Sequence, residues 1–280
     1  MKIKASDKDF ALAHPTWPYL ADVASFCAYI YESKHKDPEN PIADYSEAKG
    51  IGSDLYASIR NNWTRVDPEN FSKPSLPKCR KIIGGLVLDV WHRRVSETEP
   101  ELFILFFRGS DKEINDWWTN FRWITRFVPR TWDQYSQVIE YTSHVVAQIL
   151  KLSPKATIIS AGHSLGGGLA TAASYCSPHI ETVYAFNSSP VTGYFSVDRQ
   201  TRKRSREDLI IFRVYEKGEI LAYARGVMQV IWPLSKKDPK VIRIECDFTA
   251  GNFVQKHSMT ALAQSLQVQE VQVEQDDKAT

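Results

Sequence analysis

Thr157-Ile158-Ile159-Ser160-Ala161-Gly162-His163-Ser164-Leu165-Gly166-Gly167-Gly168-Leu169-Ala170 is the stretch that decides the fold. A β-branched apolar run leads into Gly162-His163-Ser164-Leu165-Gly166, a G-x-S-x-G pentapeptide, and small or apolar residues follow it. The pattern is strand, tight turn, helix. A serine at such a turn has its Oγ lifted clear of the sheet, and the flanking positions must be nearly bare for the backbone to close. The helix opening at Leu165 brings N–H groups and the positive end of its dipole to the same point, where an oxyanion is stabilised. A chance glycine turn is the plain alternative, and the strand before and helix after argue against it. The fold class is therefore α/β, a mostly parallel central sheet with helices on both faces.

Outward from the turn, strands and helices alternate. Leu102-Phe103-Ile104-Leu105-Phe106-Phe107 is apolar without alternation, which predicts a central strand buried on both faces. A strand over Ile82–Trp91 precedes it. Thr131–Leu152 reads as a helix, with Thr131 as N-cap, Gln134 three residues on, and Pro154 beyond its end. The turn's own strand is Ala156–Ser160 and its helix Leu165–Tyr175. Further strands are expected at Thr182–Phe186, Leu209–Tyr215 and Val241–Cys246, and a last helix over His257–Leu266. On the N-terminal side, Leu20, Val23, Ala24, Cys27, Ala28 and Tyr31 recur at helical spacing and predict an amphipathic helix over Tyr19–Glu32. Residues 34–81 read as irregular, with a short helix near Ser53–Arg60. One domain, 1–266, is expected, with 1–80 as its N-terminal extension and 267–280 as a polar tail.

Composition narrows the classes. Hydrophobic content of 43% with 24% charged residues is that of a globular chain, which excludes disorder, collagen and coiled coil. Thirty-five Lys and Arg against 33 Asp and Glu give +2, no basis for a nucleic-acid partner. Cys27, Cys79, Cys176 and Cys246 are scattered, and neither they nor the seven His show metal-ligand spacing, so no metal and no cofactor are expected. The charged Met1–Phe10 lacks the apolar core of a secretory signal, and the expectation is a cytoplasmic protein as synthesised.

A nucleophilic serine needs a base, and the base an orienting acid. Two histidines follow Ser164. His179 sits beside Pro178 between helix and strand and reads as a surface residue. His257 lies after the last strand, at the mouth of the last helix, where the base is expected. The acid should follow the strand Leu209–Tyr215. Glu216 and Glu219 both qualify there, with Asp198 and Asp247 as outside candidates.

With these residues in place, the chain from about Gly84 to Leu266 resembles the class 3 (fungal-type) lipases, a family of the α/β-hydrolase superfamily. Phe107-Arg108-Gly109-Ser110 matches the family's F-R-G-[ST], and Asp116-Trp117-Trp118-Thr119-Asn120-Phe121 its D/N-W-x-x-N/D-aromatic segment. Ala161–Ala170 follows the family elbow almost letter for letter. Phe186, Pro190 and Gly193 resemble its F-G-x-P-x-x-G turn, with Asn187-Ser188-Ser189 as a departure one residue longer. The resemblance implies an α/β-hydrolase fold, Ser164 as nucleophile, His257 as base, and Ser110 with the Leu165 N–H as the oxyanion hole. Arg213-Val214 followed by Glu216-Lys217-Gly218-Glu219 implies Glu219 as acid where the family has Asp.

The stretch 116–132 interleaves Trp117, Trp118, Phe121, Trp123, Phe127 and Trp132 with Arg122, Arg126 and Arg130. It reads as buried apolar chain or as a segment meeting a lipid headgroup layer, with stacking on single-stranded nucleic acid a third reading that the small net charge disfavours. The resemblance puts the lid here, making Trp117, Trp118, Trp123 and Phe127 substrate or lid candidates. Arg199–Arg206 holds five basic residues in eight and reads as a solvated loop; if it binds anything, anionic lipid is the candidate. The leading expectation is a serine hydrolase cleaving lipid carboxylic esters by a Ser-His-Glu triad, with a lipid or membrane surface as its partner. One alternative is an antibacterial phospholipase toxin, exported by a dedicated secretion system and held by an immunity partner. The other, from a different class, is an inactive hydrolase-fold binding protein.

Overall fold

The computed structural model describes residues 2–5, 17–32, 63–67, 71, 81–82, 85–93, 100–108, 131–189, 191, 194–218, 239–248 and 255–267. Their strands are β1 (Lys2–Ala5), β2 (Thr64–Arg65), β3 (Lys81–Ile82), β4 (Leu88–Arg93), β5 (Leu102–Phe107), β6 (Thr131–Trp132), β7 (Thr157–His163), β8 (Ile180–Phe186), β9 (Ile210–Glu216) and β10 (Lys240–Cys246). The helices are α1 (Trp17–Glu32), α2 (Gln134–Leu152), α3 (Leu165–Cys176), α4 (Arg199–Arg204) and α5 (259–267).

Eight strands form one sheet in the order β1-β10-β9-β8-β7-β5-β4-β2. The five from β10 to β5 run parallel, and β1, β4 and β2 join antiparallel at the two sides. A two-stranded parallel ladder, β3 with β6, stands apart. The unbroken apolar run of β5 lies inside the sheet between β4 and β7, as its sequence requires. Its side chains divide by the period of two. Phe103, Leu105 and Phe107 join the core under α2 and α3, whereas Ile104 and Phe106 join the core under α1 and α5. Burying each such side chain stabilises by roughly 1.5–3 kcal/mol, so both faces of this strand hold it in the core.

The elements differ from the sequence expectation where side chains compete for backbone groups. Lys81 to Arg93 is two strands rather than one. Gly85 O accepts from Gln134 Nε2 at 2.8 Å and Leu86 N–H donates to Gln137 Oε1 at 2.9 Å, so α2 takes backbone groups that a ladder would use. The N-cap of α2 is Asp133, which accepts the Ser136 N–H at 2.8 Å; Thr131 belongs to β6. α1 is buried nearly all round over its described side chains, with Asp22 and Tyr31 half-buried, because Phe26 packs on Trp63, Trp91 and Phe106 with ring centroids 4.9–5.4 Å apart. β7 runs three residues further than expected, to His163, and Arg199–Arg204 forms a helix where a loop was read. The expected helix near Ser53–Arg60 and most of the tail lie outside the described residues.

Candidate active site

The parallel strands deliver the site along one edge. Phe107 pairs with Gly162, His163 with Phe186, Phe186 with Val214, and Glu216 with Cys246, so the carboxyl ends of β5, β7, β8, β9 and β10 are neighbours. Ser164 sits between β7 and α3 at φ 56°, ψ −125°, a region a non-glycine residue occupies only when its surroundings hold it there. They do so from both sides. The Ser164 N–H donates to Phe186 O at 3.0 Å, and its carbonyl accepts from Gly167 and Ser189 N–H at 3.1 and 3.0 Å. The glycines are sterically required. A Cβ on Gly162 would collide with the Gly166 carbonyl, and one on Gly167 would stand 2.7 Å from Ser188 Cβ. Leu165 is the first residue of α3, which presents the helix N-terminus to the serine.

His257 is buried and closes a 3-10 turn, Gln255–His257, just ahead of α5. Its ring lies 4.7 Å from the ring of His163, the residue before Ser164, which brings the expected nucleophile and base segments together. The contact is specific. His163 Nε2 is 2.8 Å from the His257 carbonyl, and since a carbonyl only accepts, Nε2 carries the proton. Burial, followed by the neighbouring His257, pushes the His163 pKa well below the ordinary 6.5, so the ring is a neutral donor. The Tyr31 hydroxyl donates to His163 O at 2.8 Å and its ring stands edge-on to the imidazole. Thus α1, the elbow and the His257 turn are clamped to one another.

A second clamp holds the end of β9. Asn187, buried at φ 40°, donates its N–H to Val214 O at 2.8 Å and accepts the Glu216 N–H on Oδ1 at 2.9 Å. Its Nδ2 donates to Lys256 O at 3.4 Å, beside His257. Glu216, last residue of β9, is fully buried, and its Oε1 accepts the Phe248 N–H at 2.5 Å. The other carboxylates considered are placed differently. Asp198 is an exposed N-cap of α4, and Asp247 is exposed beside Lys217. His179 is exposed as expected. Ser110, Trp117, Trp118, Trp123, Phe127 and Glu219 lie outside the described residues. Tyr31, His163 and Asn187 are contributors that the sequence reading passed over; Asn187 carried a signal, since Asn tolerates left-handed backbone.

Among the described residues no three His, Cys, Asp or Glu side chains converge as metal ligands, and no helix is long and apolar enough to cross a membrane. Cys27, Cys176 and Cys246 are buried and free, and burial raises their thiol pKa values, the last two to about 12.

Comparison with solved structures finds a lipase from Rhizopus microsporus var. chinensis at 15% identity, covering 80% of this chain and 71% of that one with a TM-score of 0.45. The Lip2 lipase of Yarrowia lipolytica is 12% identical over 89% and 82% of the two chains, TM-score 0.44. An esterase of Pyrobaculum calidifontis is 10% identical over 66% and 81%, TM-score 0.37. No curated protein sequence gives a significant match. The family model of the phospholipase-like proteins, a Tle-like phospholipase domain, matches residues 51–234, well over half the chain. That match, on an α/β-hydrolase sheet with a strained serine elbow, places the chain in the phospholipase-like family as a hydrolase of lipid carboxylic esters.

Proposed function

We propose that the protein hydrolyses the acyl esters of glycerophospholipids, with Ser164 as nucleophile, His257 as base and Glu216 as the orienting acid. The observation that carries this reading is the elbow: a serine held at φ 56° on a helix N-terminus, against the segment bearing a buried histidine. The Ser164 Oγ attacks the acyl carbonyl carbon while His257 takes the hydroxyl proton. The tetrahedral oxyanion is met by the Leu165 N–H and by Ser110, the latter on the strength of the F-R-G-[ST] motif. On collapse the ester C–O bond breaks and His257 returns the proton to the leaving lysophospholipid alcohol. Water, giving its proton to the same histidine, then releases the fatty acid. Phospholipid is favoured over triacylglycerol by the family's own description.

For the acid, Glu216 is preferred because it is buried at a strand end and tied through Asn187 to the turn that carries His257. Glu219, which the family register favours, is the competing candidate. Trp117, Trp118, Trp123 and Phe127 are proposed to meet the lipid surface. Exchanging Trp123 and Phe127 for Ser should reduce hydrolysis of vesicle phospholipid more than that of a soluble nitrophenyl ester. Equal losses on both substrates would assign these rings to the core. The function itself is tested by fatty-acid release from phosphatidylcholine and from triolein. Phospholipid turnover is expected, and turnover of triolein alone would overturn the substrate class.

A further inference from the structure

We propose that the cleft between the turn Tyr194–Ser196 and α4 docks the phosphate-bearing headgroups of an anionic lipid surface, apart from the ester-cleaving site. The cleft has a volume of about 370 Å3 and is lined by Tyr194, Arg199, Arg202, Lys203, Arg206 and Glu207, four cations against one carboxylate. That volume falls at the small end of ligand sites, ample for a phosphate headgroup.

Two of the four cations, Arg202 and Arg206, are held in place. Arg202 Nη1 donates to Tyr194 O at 2.8 Å, and its guanidinium lies 4.4 Å over the Tyr194 ring and 5.1 Å over the Phe195 ring. Arg206 Nη1 donates to the Tyr194 hydroxyl at 2.6 Å. Tyr194 is itself fixed edge-on against Tyr175 of α3, 5.0 Å between centroids. The nearby Asp198 carboxylate is committed to the end of α4, where it accepts the Gln200 and Thr201 N–H groups and the Thr201 hydroxyl.

Phe195 decides the kind of ligand. It is 62% exposed and stands at the rim of the cationic cleft. A soluble anion needs no hydrocarbon beside its phosphate, whereas a bilayer surface offers phosphates with acyl chains just beneath. The cleft is separate from the elbow: Tyr194 packs on Tyr175 near the C-terminal end of α3, whereas Ser164 caps the N-terminal end of that helix.

The purpose of this docking rests on the phospholipid reading above, but the binding is measured without it. Full-length Ser164→Ala protein, which consumes no lipid, is floated with phosphatidylcholine vesicles, with and without about 30 mol% phosphatidylglycerol. Binding is expected on the anionic vesicles, weakened by salt. Arg199→Gln with Lys203→Gln, both exposed, should lower it on the order of fivefold per charge removed. Phe195→Ser should lower it with all cations kept. Arg202→Gln extends the series, and retention of the Arg199/Lys203 variant's unfolding midpoint shows that its loss is not misfolding. Equal binding to both vesicles, or unchanged binding by the variants, overturns the proposal, and glycerophosphate bound by a protein that binds neither vesicle reassigns the cleft to a free anion. Hydrolysis of a soluble ester by the otherwise unchanged protein is assayed alongside. Its absence would defeat the functional reading while leaving the docking result intact.

Discussion

At the scale of single residues, the site depends on which groups can be neutral and which charged. Glu216 and Glu219 lie three apart, and only one can orient the imidazole of His257. Losing a triad acid costs about 10,000-fold in turnover, whereas losing a surface carboxylate costs almost nothing. Glu216→Gln should therefore cripple ester hydrolysis and Glu219→Gln should spare it; the reverse pattern would move the acid into the following turn. His163 makes a separate prediction. Its native pKa is depressed from 6.5 by burial, so below that pH the unfolded chain binds a proton that the native state refuses. Its contribution is present above about pH 6.5 and is lost as pH falls, with a limiting slope of about 1.4 kcal/mol per pH unit. Urea unfolding at pH 7.5 and 5.5 should show a smaller drop for His163→Gln than for the wild type. Gln reaches the His257 carbonyl with its amide N–H, so this variant should keep activity that His163→Leu loses. Identical pH slopes would show that His163 does not stay neutral in the native state.

At the scale of elements, legibility followed the distance over which each decision is made. The elbow was readable because its requirement is local: Gly162 is bare since Gly166, four residues away, occupies the space a Cβ would need. The β5 run was readable because a strand covered on both faces leaves no polar positions. The clamp from His163 to His257 spans 94 residues and leaves no pattern in either segment. Whether the acid ends β9 or follows it depends on how β9 registers with β8 and β10, which periodicity does not encode. The start of α2 was misplaced because Thr131 and Asp133 are both good caps, and only the β3–β6 pairing consumes the first. The contact of α3 with the segment after β8 gives a test at this scale. Gly167→Ala would press on Ser188 Cβ, and overpacking of this kind costs typically about 1–3 kcal/mol. Urea unfolding should register that loss together with reduced turnover. An unchanged midpoint would mean that α3 moves freely away from the sheet.

At the scale of the whole molecule, the sheet gathers residues from α1, the elbow, β8, β9 and the turn before α5 along a single edge. Two cores, one on each face, fix the strands that carry them. The first helix belongs to this assembly, since Tyr31 donates to the carbonyl of His163 and its neighbours fill the core beside β5 and β7. All of this is arranged around one serine, so the central claim is chemical and can be asked of that atom. The direct measurement is covalent labelling of the full-length protein by a fluorophosphonate, followed by mass spectrometry of the labelled peptide, alongside fatty-acid release from phosphatidylcholine. The account predicts a single adduct on Ser164, and loss of both labelling and hydrolysis in Ser164→Ala with its unfolding midpoint retained. Labelling at another residue, or phospholipid hydrolysis that survives Ser164→Ala, would contradict it.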